Sequence, residues 1–539
     1  MKRHFFTLLL LFSVLTIWTQ EEYKFRIQLK GKGESDRSIE QPEDFLSQRS
    51  IERRKRQNIA INESDLPISS DYIRIIEDFN CKVIAKSKWV KTISIHCEDS
   101  SIVAKIRELD FVQGADCVWI GNSTTSLLKK SEEKRNITRT SSTEMPSVYY
   151  GYGWDQIKTV NGHFLHQEGY EGEGMQIAVI DAGFSGLENS VLFDNMNILG
   201  EKDFVHETEG EAQHGFEVLS LMASNNPNQY VGTAPKAGYW LLRTEDERCE
   251  APIEEDYWIT AIEYADSIGA DLVNSSLGYF TFDKPFISHS WKELDGKTTL
   301  ISQAAEIATQ KGIFVVNSAG NERMFEWKKI SFPADAEHVL TVGSATNDSI
   351  PSSFSSIGLT VDGRIKPDLG ALGDNINFIA DDQTIYKSRG TSYSTPVMCG
   401  LIACLWEAFP NLTNNELLDI IRKSSHQYSN PDEYWGYGIP DMEKAYRFAN
   451  GDTSGIEEEA KQEDDYFKVY SLGNGYVRIE NKYDLGTLDL AIFSLEGKLV
   501  LKNKVAQPQQ DFFIPRVNET LIFNIRGNSI NYSVKIHFR

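Results

Sequence analysis

Two stretches of the chain repeat one grammar. "EDYWITAIEYADSIGADLVNSSLG" (Glu255 to Gly278) and "TLISQAAEIATQKGIFVVNSAGNE" (Thr299 to Glu322) each read as an amphipathic helix, a glycine turn and a short apolar strand. An apolar strand without polar alternation must be covered on both faces, and helices returning the chain to the same edge make neighbouring strands parallel. "MQIAVID" (Met175 to Asp181) is a further strand of this kind, and "HGFEVLSLMAS" (His214 to Ser224) a further helix. Residues 150–450 are therefore expected to form an α/β unit, a mostly parallel sheet with helices on both faces. Such sheets bind ligands beyond the C-terminal ends of their strands. Asp181, Ser276 and Asn321 fall at or just past predicted strand ends.

On either side the pattern changes. Lys2 and Arg3, an apolar run from Phe5 to Trp18, and then Gln20, Glu21 and Glu22 have the layout of a secretory signal over residues 1–19. That run is short for a transmembrane helix, so no membrane span is expected once it is removed. Residues 20–122 mix strands ("YKFRIQL", "KTISIHC") with amphipathic helices ("DYIRIIEDF", "SSIVAKIREL"), a small α+β unit. Its basic run "IERRKRQN" (Ile51 to Asn58) reads first as a solvated helix face, with a basic cleavage site or a nucleic-acid patch as alternatives. Polar residues 123–149 and acidic residues 451–465 read as linkers. Residues 466–539 alternate in short segments separated by Gly and Asn, as in a small antiparallel β-sandwich.

A formal charge of −23 argues against nucleic acid as partner, because that role needs a basic footprint. Six scattered cysteines without a Cys-x-x-Cys pair indicate neither a disulfide framework nor a zinc site.

Acyl transfer by serine needs a nucleophile, an imidazole base, an acid to orient it and donors for the oxyanion. The α/β unit offers all four. Asp181 ends a buried strand ahead of Ala182 and Gly183; His214 opens a helix with Gly215 behind it; Asn321 closes "NSAGNE"; Ser392 lies in "RGTSYSTPVMCG". Each also has an ordinary explanation, as a turn acid, a surface histidine, a left-handed turn residue and a helix cap. Pro396 is placed within about the first turn of the helix that Ser392 begins, where its missing N–H matters little.

Taken together, "IAVIDAGF", "HGFEVLSLMA", "SSLGY", "SAGNE" and "GTSYSTPVMCG", in this order over roughly residues 150–450, resemble the subtilisin-like serine peptidases. The resemblance implies that Asp181 orients His214, that His214 is the general base and that Ser392 is the nucleophile. Asn321 and the Ser392 N–H would hold the oxyanion. The small residue after the acid, Ala182, stands where many relatives have Ser or Thr. Ser276, Leu277 and Gly278 on one edge, and Ser318, Ala319 and Gly320 on the other, would flank a protein or peptide substrate added as a β-strand. No cofactor is required; structural calcium is compatible with the family, with no ligand residues named. By position and layout, residues 20–122 are similar to the inhibitory propeptides of secreted subtilases, cut within Ser123 to Ser147, which makes the chain's own propeptide a partner. "AIFSLEGKLV" and "SVKIHFR" resemble the C-terminal sorting domains of type IX secretion, implying that machinery as partner and a secreted or cell-surface location; an adhesive sandwich is the alternative. An α/β-hydrolase would need Gly-x-Ser-x-Gly and a metallopeptidase His-Glu-x-x-His, and neither occurs at these sites. A non-catalytic binding protein on the same scaffold is the competing class, and Ser392→Ala separates the two.

Overall fold

A computed structural model describes residues 21–122, 138–139, 148–187, 196–205, 208, 210, 212–452, 467–473, 476–481, 487–494, 498–514, 519–527 and 530–537. The expected signal and most of both linkers lie outside the described residues. Two compact units emerge, one ending at Asn450 and one beginning at Gly451.

The first unit opens with strand β1 (Glu21–Leu29), helices α1 (Gln48–Arg56) and α2 (Ser70–Glu77), strands β2 (Lys82–Ser87) and β3 (Thr92–Cys97), helix α3 (Ile102–Ile106) and strand β4 (Val112–Asn122). The strands form an antiparallel sheet in the order β2-β3-β1-β4. Alternate residues Phe25, Ile27 and Leu29 of β1 enter its core with Ile93 and Ile95 of β3. The basic run forms α1, but it is only half solvated. Arg53 and Arg54 are fully buried, because α1 packs against a helix of the larger sheet and both guanidiniums meet carboxylates there.

Beyond a two-residue strand, β5 (Thr138–Arg139), and two short helices, α4 (Trp154–Lys158) and α5 (His163–Gln167), the main sheet begins. Its strands are β6 (Gln176–Asp181), β7 (Asn197–Asp203), β10 (Gly238–Arg243), β11 (Leu272–Ser275), β12 (Phe314–Ser318), β13 (Leu340–Ala345) and β14 (Leu369–Leu372). They lie in the order β14-β13-β12-β11-β6-β10-β7, and every pairing is parallel. Helix α6 (His214–Ala223) precedes a small hairpin of β8 (Asn225–Asn226) and β9 (Tyr230–Val231). Helices α7 (Ile253–Ile268) and α8 (Leu300–Gln310) follow; then come hairpin strands β15 (Asp374–Ile379) and β16 (Ile385–Arg389), and helices α9 (Thr391–Ala408), α10 (Asn414–Ser424) and α11 (Met442–Ala449).

The pleat assigns each strand residue to one of two layers. Ile177 and Val179 of β6 join a core containing α6 and α9 residues such as Leu219 and Val397. Ala178 and Ile180 join the opposite core with Ile262 of α7 and Ala304 of α8. The unpatterned apolar strands are thus covered on both sides, as their composition requires. The chain runs from β6 out to β7 and β10, then crosses by α7 to β11 on the other side of β6. This reversal opens a crevice at the C-terminal ends of β6 and β11.

The second unit holds two antiparallel sheets. One contains β17 (Phe467–Gly473), β18 (Tyr476–Asn481) and β21 (Gln509–Phe513); the other contains β19 (Leu488–Ser494), β20 (Leu499–Val505), β22 (Thr520–Gly527) and β23 (Ile530–His537). Val477 and Ile479 of the first share a core with Leu490, Ile492, Phe523 and Ile525 of the second.

Candidate active site

β6 delivers Asp181, fully buried, to the crevice, where its Oδ1 accepts the backbone N–H of Ala182 at 2.7 Å. His214 is the first residue of α6, and its Nδ1 lies 2.6 Å from the same Asp181 Oδ1. Gly215 makes this approach feasible. A Cβ there would lie 2.6 Å from the Gly183 carbonyl oxygen and 2.9 Å from the Asp181 Cβ. The other carboxylate oxygen, Asp181 Oδ2, is buried with no hydrogen bond among the described residues.

Ser392 is the second residue of α9, whose N-cap is Gly390 with no side-chain cap bond. The cap reading of Ser392 is therefore replaced. Its hydroxyl accepts no end-of-helix N–H and instead donates to the Ser276 carbonyl at 3.2 Å. Ser276 returns the bond, its Oγ donating to the Ser392 carbonyl at 2.9 Å. Pro396, six residues into α9 and so beyond its first turn, explains why. In an α-helix the N–H of residue 396 would bond to the carbonyl of residue 392; proline has none, and the Ser276 hydroxyl takes that place. His214 reaches the same neighbourhood, its ring 6.2 Å from that of Tyr393. The Tyr393 hydroxyl in turn donates to Glu217 of α6 at 2.6 Å.

Asn321 has a fixed orientation. Its Oδ1 accepts the backbone N–H of Thr391 at 3.0 Å and the Thr391 hydroxyl at 3.2 Å. A backbone N–H can only donate, so the atom facing it must be the amide oxygen and the NH2 group points away. The Thr391 hydroxyl also accepts the Gly320 N–H at 3.1 Å. Gly320 has a left-handed φ of 100°, and a Cβ there would lie 2.9 Å from the Ser356 hydroxyl. The residue type at this turn is thus set by backbone conformation and close approach.

The two expected substrate edges are adjacent. The Leu277 carbonyl accepts from Asn317 Nδ2 at 3.1 Å and from Ser318 Oγ at 3.3 Å. Ser276 and Ser318 are buried and Gly278 is exposed, while Ala319 is fully buried with its N–H given to Val342 and its carbonyl to Ser331. The structure therefore gathers Asp181, His214, Ser276, Asn321 and Ser392 around one crevice, and sets Ala319 behind it. Reading the sequence passes over Thr391 and the mutual Ser276–Ser392 pair. The only signal for the latter is the proline four residues after the serine. Among the described residues no three His, Cys, Asp or Glu side chains converge to hold a metal ion.

A parallel α/β sheet with a buried aspartate–histidine pair at one strand end, and a serine at the start of a facing helix, is the framework of a serine hydrolase. Comparison narrows the class. Residues 172–438 match the subtilase family, and residues 24–138 match the peptidase S8 propeptide domain of Bacteroidota. The chain is 28% identical over 300 residues to Subtilisin NAT of Bacillus subtilis subsp. natto, covering 54% of this chain and 70% of that protein. It is also 28% identical over 300 residues to the Subtilisin of Bacillus pumilus, of which 98% is covered. The crystal structure of MycP1 from Mycobacterium smegmatis superposes with a TM-score of 0.46 at 21% identity, over 57% of this chain and 87% of that one. The protein belongs to the subtilase family: it is a serine endopeptidase with a propeptide domain ahead of its peptidase domain.

Proposed function

We propose that Asp181, His214 and Ser392 form the catalytic triad, and that the protein is made as a self-inhibited, exported precursor. The 2.6 Å contact between His214 Nδ1 and Asp181 carries the reading, since it fixes the ring with Nε2 as the free base. A rotation about the Ser392 side-chain bond moves Oγ from the Ser276 carbonyl toward Nε2, a picosecond-to-nanosecond event. Oγ then attacks the scissile carbonyl carbon as its proton passes to Nε2. The carboxylate of Asp181, with one oxygen otherwise unpartnered, stabilises the imidazolium that forms. The oxyanion is held by the Asn321 NH2 group, aimed by Thr391, and by the Ser392 N–H at the positive end of α9. Collapse of this intermediate passes the proton from Nε2 to the leaving amine and leaves an acyl-enzyme, which water, deprotonated by the same imidazole, hydrolyses.

The substrate is a protein or peptide strand laid between residues 276–278 on one edge and Ser318, Gly320 and Asn321 on the other, and no organic cofactor takes part. Residues 20–122 act as the propeptide, and the cut falls within residues 123–147. Export through the N-terminal signal accords with the Bacteroidota character of the propeptide match, and the β-rich second unit is the proposed sorting domain for type IX secretion. The decisive experiment labels the processed chain with a fluorophosphonate and maps the adduct by mass spectrometry. An adduct on Ser392 that is lost in a folded His214→Ala variant supports the triad. No adduct on folded, propeptide-free protein would move the assignment to a binding scaffold.

A further inference from the structure

Helix α7 ends in an unusual concentration of acceptors. Asp266 lies in its last turn and Asp271 just beyond, both fully buried, at the negative end of the helix dipole. The break between them is Gly269, left-handed at φ 89°, where a Cβ would lie 2.7 Å from the Arg49 Cβ and 2.8 Å from the Ser50 nitrogen of α1. The basic helix α1 covers this end. The Ser47 N–H donates to the Ser267 carbonyl at 2.8 Å and Arg49 Nε to the Gly269 carbonyl at 3.1 Å, while Arg53 reaches the Ala270 carbonyl. Asp266 is clasped from two sides, by Arg53 Nη2 at 2.5 Å and by Arg54 Nη2 at 2.7 Å. Arg54 continues to Asp65 of the propeptide at 3.1 Å, and Asp65 to Lys311 after α8 at 2.9 Å. The row alternates in charge, with Arg53, Arg54 and Asp65 from residues 20–122 and Asp266 and Lys311 from the larger α/β part. Farther up α7, Glu263 accepts the N–H groups of Lys88 and Trp89 at 3.1 and 3.0 Å, and Asp256 holds Arg26 at 2.5 Å.

We infer that the C-terminal end of α7 is a docking site for a basic helix, that α1 is its occupant, and that Arg53 and Arg54 on Asp266 are the anchor that keeps the propeptide bound once the linker is cut. The inference rests on the reading of this chain as a self-inhibited precursor. Apolar residues at the same interface, Trp89 and Trp119 among them, supply area; the buried charges set register and partner, since a helix without cations at these positions would leave Asp266 buried without its two guanidinium partners. The same burial removes Arg53 and Arg54 from any protease that reads basic pairs while α1 is seated.

Hydrogen exchange on the full chain carrying Ser392→Ala, in which the linker stays whole, tests this without reference to activity. With Arg53→Gln/Arg54→Gln, protection of residues 48–56 and 266–271 should fall by about 100-fold or more. Arg49→Gln/Arg56→Gln, which removes more exposed partners of Asp271, should change it less than about tenfold. Equal effects of the two pairs, or no effect of the first, would overturn the anchor. Protection at residues 314–318 reports whether the peptidase core has folded. If the first pair abolishes it, Asp65→Asn is read instead, with a fall of about tenfold expected and no fall counting against the proposal. In the active chain, Arg53→Gln/Arg54→Gln should lose the cut propeptide on gel filtration where the parent retains it; retention by both would also overturn it. A parent chain that gives no fluorophosphonate adduct would refute the peptidase reading alone and leave the exchange result standing.

Discussion

Ser276 and Pro396 should be coupled through one carbonyl. Ser276→Ala removes the hydroxyl that bonds to the Ser392 carbonyl at 2.9 Å, and Pro396 has no N–H to replace it. Leaving a buried carbonyl short of its partner costs about 1–3 kcal/mol. Pro396→Ala returns the helical N–H to the same oxygen, so the double variant should be less destabilised than the sum of the singles, by about 1 kcal/mol or more. Urea unfolding in a Ser392→Ala background measures this, because that change keeps the residue-392 carbonyl and prevents self-digestion. In the active background, Ser276→Ala keeps the backbone carbonyl that accepts from the Ser392 hydroxyl but should slow fluorophosphonate labelling by roughly 10-fold to 100-fold as the main chain of residue 392 loses its hydrogen-bond partner, and Pro396→Ala should recover part of the loss. Strict additivity of the two substitutions, in stability and in labelling, would refute the reasoning.

Three further outcomes are expected. Ser392→Ala should lower peptide hydrolysis by about 10⁴-fold to 10⁶-fold and accumulate uncut precursor on gels. Gly215→Ala should keep the fold but lower kcat/KM by about 100-fold or more, since its Cβ must push α6 away from Asp181; unchanged kinetics would show that the close approach is not needed. Asp335, whose carboxyl burial raises to about 6, keeps its proton in the folded chain at pH values where the unfolded chain has lost it. Its contribution to stability is therefore greatest below about pH 4 and declines by roughly 3 kcal/mol as pH rises to about 6. Urea midpoints across this range should show the decline, and Asp335→Asn should flatten it.

Strand ends and helix starts were readable because they depend on local pattern. Val-Ile-Asp before Ala-Gly, or His-Gly at the head of an apolar helix, carries its geometry in adjacent residues. The same locality explains what was misread. In α1, four basic residues in a row look solvated, and Lys55 and Arg56 are; that Arg53 and Arg54 are buried depends on Asp266, more than 200 positions away. The acids of α7 give a weak cue, since Asp256, Glu263 and Asp266 share one helix face at spacings of seven and three. The pairing of Ser276 with Ser392 joins the loop after β11 to the start of α9, and apart from Pro396 neither segment carries a pattern that announces it. Ala319 reads as a pocket wall because it is flanked by Ser318 and Gly320, yet just past the end of β12 its N–H bonds to Val342 of β13 and its side chain is buried completely.

The order of parts along the chain has a consequence for its birth. Asp181 and His214 can meet as soon as β6 and α6 have emerged, but the serine follows 178 positions after the histidine. At ribosomal speed that interval is about 10–40 s. The acidic end of α7 and the basic helix that covers it are both complete well before then. If residues 20–122 inhibit the site as proposed, a chain emerging N-terminus first seats α1 on α7 before Ser392 has been made, so inhibition would precede the first possible catalytic turnover rather than follow it.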